Sequence, residues 1–188
     1  MNNSTIRAAC MALAGVLFSF GAMAAPWKYE TQIDKMTDEQ KRMAMLRSTN
    51  SLSLPFPYAG KNYGTIYIRQ HPQHGQDVIF GVDKGIILCH RKCDVLFRIN
   101  GDKPVQISFF PASSGSSDLI FATDAKALIT KLATAKKLMV QVSMYHAGNQ
   151  VLEFDADTPL EWVASQSRPA ASAQAQAAKK AQSVRARY

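Results

Sequence analysis

Long apolar runs, reactive cysteine and recognisable catalytic motifs are all scarce in this 188-residue chain, and each scarcity excludes something. No GxSxG, HExxH, GxGxxG or phosphate-loop pattern occurs, so none of the familiar layouts for a serine nucleophile, a zinc protease or a nucleotide cradle is present. The serines of the SSGSSDL stretch lie near Asp118 but have no identifiable base, and they read as a loop. Only three cysteines occur, at Cys10, Cys89 and Cys93, and His71, His74, His90 and His146 are the only histidines available to complete a zinc set around a cysteine pair. His71 and His74 share the HPQHGQ loop, on a different connection from the cysteine pair. No metal, cofactor or catalytic residue is therefore expected.

The net charge of +8 is unevenly placed. Arg168, Lys179, Lys180, Arg185 and Arg187 give residues 164–188 a charge of +5 with no acid, and the segment lacks Leu, Ile and Phe. Such a composition buries too little apolar surface to offset its ordering entropy, and a disordered cationic arm is expected, able to touch anionic envelope surfaces. Apart from Arg7, the remaining chain has 16 basic against 14 acidic residues. This near balance offers no basic face for nucleic acid.

At the amino terminus, Arg7 is followed by an apolar run over residues 8–20 and then by small residues. The run is shorter than the roughly 20 residues a membrane span needs, and the arrangement is that of a secretory signal peptide. Ala22 and Ala24 suit the −3 and −1 positions of a cleavage site, so residues 1–24 are expected to be removed and the mature protein to be periplasmic or secreted. Cys10 leaves with them.

Residues 25–163 form one domain's worth of chain, dominated by short apolar segments between turn residues, the pattern of a mainly β domain. Trp27, Tyr29 and Ile33 open an alternating stretch. TIYIRQ, DVIFGVD, GIILC, CDVLFRI, PVQISFF, DLIFAT, KLMVQVSMY and QVLEFD follow as strands, with NGD and HAGN as turns and PLEWV closing the body. The fold class expected is a β-sandwich or partly open barrel of antiparallel strands. A short helix is expected over Thr37–Leu46, with Thr37 and Gln40 forming a capping box. One packed amphipathic helix is expected over Asp124–Lys137, capped by Thr123. There Ala125, Leu128, Ile129, Leu132 and Ala133 share a face, and Lys126, Lys131, Lys136 and Lys137 form a solvated one. Glu153, Asp155 and Asp157 alternate with apolar residues as the polar face of the last strand.

CHRKC carries the one pronounced piece of side-chain chemistry. If GIILC and CDVLFRI form a hairpin, Cys89 and Cys93 fall on apolar-facing positions across a loop of His90, Arg91 and Lys92, near the roughly 5.5 Å Cα separation a disulfide prefers. Export supplies an oxidising compartment. A redox pair would favour CxxC at a helix start, so a structural disulfide fixing strand register is expected, with His90, Arg91 and Lys92 held outward as a cationic knob. His71 and His74, in the HPQHGQ loop, are the other candidates for partner contact.

The segments PYAGKNYGTIYIRQHPQHGQDVIF, DKGIILCHRKCDVLFRI, AKKLMVQVSMYHAGNQVLEFD and PLEW together resemble an uncharacterised family of small exported proteins from Gram-negative bacteria. In layout the chain is also distantly similar to periplasmic proteins associated with type VI secretion, of the TagO or VasI kind. The resemblance implies a compact β-rich periplasmic domain with Trp27, Tyr29, Phe97, Phe109, Phe121, Tyr145, Phe154 and Trp162 as aromatic core residues. It brings no catalytic residues. The function expected is a non-enzymatic interaction module serving an envelope or secretion assembly, or alternatively an inhibitor of a wall-cleaving enzyme such as lysozyme that uses HPQHGQ or ASSGSSD as a plug. Intact-mass and peptide mass spectrometry of the exported protein should find a mature chain starting at Ala25 with Cys89 linked to Cys93; free thiols or bound zinc would contradict the staple.

Overall fold

The computed structural model describes residues 27–72, 75–156 and 158–162. The expected signal peptide with Cys10, the tail at 164–188, His74 and Asp157 lie outside the described residues. Among the described residues the fold is mainly antiparallel β, with one helix and a nine-stranded open sheet. In chain order the elements are β1 (Lys28–Ile33), β2 (Gln40–Arg47), β3 (Leu52–Ser53), β4 (Lys61–Asn62), β5 (Gly64–His71), β6 (Gly75–Val82), β7 (Cys93–Ile99), β8 (Val105–Pro111), β9 (Leu119–Ala122), α1 (Ala125–Leu132), β10 (Lys137–Met144) and β11 (Gly148–Asp155). The spatial order is β1-β2-β5-β6-β9-β8-β7-β10-β11, with β3 and β4 forming a separate small hairpin.

The two-residue alternation of a strand sends one set of side chains to a single buried face. Ala44 and Leu46, Ile66 and Ile68, Val78 and Phe80, Val95 and Phe97, Leu138 and Val140, and Leu152 and Phe154 supply that face strand by strand. α1 adds Leu128, Ile129 and Leu132 and packs against β6. Of the aromatic residues expected inside, Trp27, Phe97, Phe109, Phe154 and Trp162 are buried and Phe121 is half-buried. Tyr29 and Tyr145 are instead about half exposed, because they lie respectively on a terminal strand and in a hairpin turn, and Phe80 takes a core place that was not anticipated.

The helix expected over Thr37–Leu46 is not formed; Gln40–Arg47 is a strand. QKRMAMLR holds good helix formers, but its Ala44 and Leu46 alternate inward and its backbone pairs on both sides, with β1 and with β5. Two ladders outweigh a helix propensity worth only tenths of a kcal/mol per residue, roughly. The second helix is shorter than expected and is capped by Asp124, not Thr123: the Asp124 carboxylate accepts from Ala127 N at 2.9 Å. Its exit is set by Asn100 in the turn between β7 and β8. The Asn100 side-chain oxygen accepts from Lys136 N (2.7 Å) and Lys137 N (3.1 Å), which directs the chain into β10.

The sheet curls until its two halves meet. A Cβ on Gly64 of β5 would stand 2.5 Å from Leu152 Cδ1 and 3.4 Å from Phe154 Cζ of β11, so glycine allows this approach without displacing the buried Leu152 side chain. The chain beyond β2 closes the remaining gap with a few hydrogen bonds. Thr49 N donates to Glu153 O (2.8 Å), Asn50 Nδ2 to Val151 O (3.0 Å), and Glu153 N to Asn50 Oδ1 (2.8 Å). The sheet thus stays open as a ladder but is buckled along β11. Asn50→Ala removes two of those bonds and should lower stability by about 1–2 kcal/mol, seen as a lower urea midpoint at constant slope; an unchanged midpoint would mean that core packing alone holds the curl.

Candidate functional site

The chain leaves β6 through Gly85, whose φ of +105° suits glycine and whose added Cβ would lie 2.6 Å from Met144 Cε. The following residues cross the end of the sheet. Tyr145 N donates to Ile86 O and Leu88 N to Ser143 O, both at 2.9 Å, making a single bridge of Ile87 to Met144. Cys89 N then donates to Ile87 O, turning the chain away from the sheet.

The expected disulfide is present, with Cys89 and Cys93 Cα atoms 5.0 Å apart, but the hairpin expected around it is not. GIILC forms no strand, and Cys93 faces Phe109 across the β7–β8 ladder. The reason is that the backbone of the crossing segment is engaged elsewhere: Ile86 O accepts from Tyr145 N, and Ile87 N and Leu88 N donate to Ser117 O and Ser143 O, so these residues do not ladder with Cys93–Val95, beyond the Leu96–Ile99 stretch that β10 pairs. The bond therefore does not set a register between two strands. It anchors the crossing segment to the start of β7, with both sulfurs against the Phe109 carbonyl. Closing so short a loop contributes about 2 kcal/mol by chain entropy.

His90, Arg91 and Lys92 project from this loop and are all exposed. Among the described residues no hydrogen bond or ion pair engages His90 or Arg91, while Lys92 acts on Asp94 at a distance. Hydrogen bonds from Ser108 and then Gln106 hold the Asp94 carboxyl below the usual carboxylate range, and the Lys92 charge adds to that. Leu88, 50% exposed, lies beside the knob. The ASSGSSD loop reaches the same place, because Ile87 N donates to Ser117 O (2.8 Å) and Val82 N to Asp118 O (3.0 Å). A recess of about 110 Å³ separates loop and disulfide, lined by Ile87, Cys89, Ala112, Ser116 and Ser117 among others.

His71 belongs elsewhere. It ends β5 opposite Gly75, whereas Gly64 opposite Val82 marks the disulfide end, about 23 Å away along the strand. The knob and His71 are thus not one surface. Around His71 lies a second depression, of about 230 Å³, bounded by Glu30, Gln32, Lys41, Met43 and Arg69. Arg69 is engaged with Asp77 by an ion pair and lies over the Phe121 ring, 5.9 Å from its centroid. The Arg69–His71 spacing was visible in TIYIRQH, but Lys41 was hidden by the helical reading of its segment. Glu153 and Asp155 lie on β11, where the backbone of Glu153 serves the Thr49 and Asn50 clasp. Among the described residues no three His, Cys, Asp or Glu side chains converge as metal ligands would. Comparison with family models, with curated proteins and with solved structures finds no match to this chain.

Proposed function

We propose that the protein is an exported, non-enzymatic interaction module, an accessory of a cell-envelope or secretion assembly, and that its disulfide end is the contact surface. The observation that carries this reading is the covalently held loop presenting His90, Arg91 and Lys92 to solvent beside exposed Leu88. A loop already fixed in shape loses little conformational freedom on binding, which favours affinity. Its cations steer encounter with an acidic partner, and Leu88 supplies apolar area at the centre. The signal-peptide pattern and the resemblance to small exported proteins support a periplasmic or secreted site of action. The +5 tail adds attraction to anionic envelope surfaces.

The second reading, inhibition of a wall-cleaving enzyme, is favoured by one feature of the same end. The 112–118 loop is tied to Ile87 and Val82 and stands next to a cationic tip, and glycoside-cleaving enzymes carry paired carboxylates in their clefts. His71 and the depression around it are outside both contacts.

Two experiments separate these readings. Tagged full-length protein crosslinked in envelope extracts should recover an acidic protein partner that is lost on combining Arg91→Glu with Lys92→Glu and kept in His71→Ala; recovery of the protein alone, or of the same partner with the charge-reversed variant, would sink the first reading. Purified protein at stoichiometric excess should slow lysozyme if the second holds, and an unchanged rate of wall lysis disposes of it.

A further inference from the structure

An open sheet has two terminal strands, and here they differ. The outer edge of β11 is occupied by Thr49 and Asn50. No backbone hydrogen bond among the described residues reaches the outer edge of β1, and all six of its residues are exposed. Unpaired edges of this kind are templates for another strand.

Which groups β1 offers follows from its ladder. Asp34 N donates to Glu39 O, just beyond the Ile33–Gln40 pair, so Asp34 directs its backbone toward β2. By alternation Lys28, Glu30 and Gln32 do the same, and Tyr29, Thr31 and Ile33 turn their N–H and C=O groups outward. Ser48 N donating to Gly64 O on the β5 side gives the same parity for β2. The side chains follow suit. Tyr29 opposite buried Ala44 places Tyr29, Thr31 and Ile33 on the core-side face at the rim, where Tyr29 is 45% and Ile33 62% exposed.

We propose that β1 pairs antiparallel with β1 of a second copy of this chain, about a two-fold axis through Thr31. In that register Thr31 faces Thr31 of the second copy, and Tyr29 faces Ile33 and Ile33 faces Tyr29. Glu30 lies opposite Gln32, and Lys28 opposite Asp34. Aromatic with β-branched, Thr with Thr and opposite charges are the cross-strand pairs that stabilise a sheet. All three outward-facing residues find partners of the same kind, and no like charges meet. The neighbouring registers of the same parity fail on charge. An axis through Glu30 sets Glu30 against itself, and an axis through Gln32 sets Glu30 against Asp34 twice. Of these three registers, only the one through Thr31 opposes no like charges, and it makes the edge complementary to itself, the requirement for a closed two-fold dimer.

The dimer is independent of the disulfide-end contact, so Arg91→Glu with Lys92→Glu should leave it intact. Sedimentation of the full-length protein over a range of concentrations should show the mass of two chains. Thr31→Pro deletes an outward N–H without touching the β2 ladder, and should shift the mass to one chain with the far-UV circular dichroism retained. Thr31→Cys, whose two copies would lie about 5.5 Å apart at Cα, should crosslink on mild oxidation. Glu30→Cys, opposite Gln32, should not. A single-chain mass at every concentration, a folded Thr31→Pro that still dimerises, or Glu30→Cys crosslinking as readily as Thr31→Cys would each overturn the proposal. If Thr31→Pro loses its fold, the pair of cysteine variants decides.

Discussion

The clasp of Thr49 and Asn50 on β11 is the constraint on which the rest of the molecule depends. A nine-stranded sheet with one apolar face must cover that face, and a single eight-residue helix is too small to do so. Curling the sheet brings β5 and β11 together, so the strands cover one another and α1 fills what is left. Gly64 permits the approach, and the backbone bonds of Thr49 and Asn50 hold it. One terminal strand is thereby spent on closing the core. The other, β1, stays open to whatever pairs with it.

The same economy shapes the disulfide end. β10 pairs with β7 only over Leu96–Ile99, and the segment arriving from β6 crosses the end of the sheet, bonded to the end of β10 and to the 112–118 loop and not laddered along β7. It is held there by one bridge at Ile87, by Ser117 O and by the Cys89–Cys93 bond. A segment fixed at its base but not laddered leaves its tip free to display His90, Arg91 and Lys92. Rigid support combined with exposed charge is what a recognition loop needs.

Much of this was legible in the chain because it is local. The alternation in TIYIRQ and KLMVQVSMY, the NGD and HAGN turns and the apolar stripe of Leu128, Ile129 and Leu132 each depend on neighbours within a few residues. So did the cysteine pair, whose bond needs only a short loop. The misreadings were of another kind. QKRMAMLR has a helical composition and became a strand because β1 and β5 lie on either side of it. GIILC has a strand composition and became a crossing segment because its backbone groups bond to Tyr145, Ser117 and Ser143, residues distant in the chain. Asn100 looked like a turn residue only, yet it also receives the exit of α1.

The sequence by itself determined the β class, the facing of alternating strands such as TIYIRQ and KLMVQVSMY, the position of the main helix and the closeness of Cys89 to Cys93, since each is set by side-chain period or short loop closure. Tertiary structure alone decided the strand order, the clasp on β11, the separation of His71 from the knob and the open edge at β1. Those depend on which backbone edges meet, and backbone donors and acceptors are the same in nearly every residue, so side-chain identity does not encode their partners.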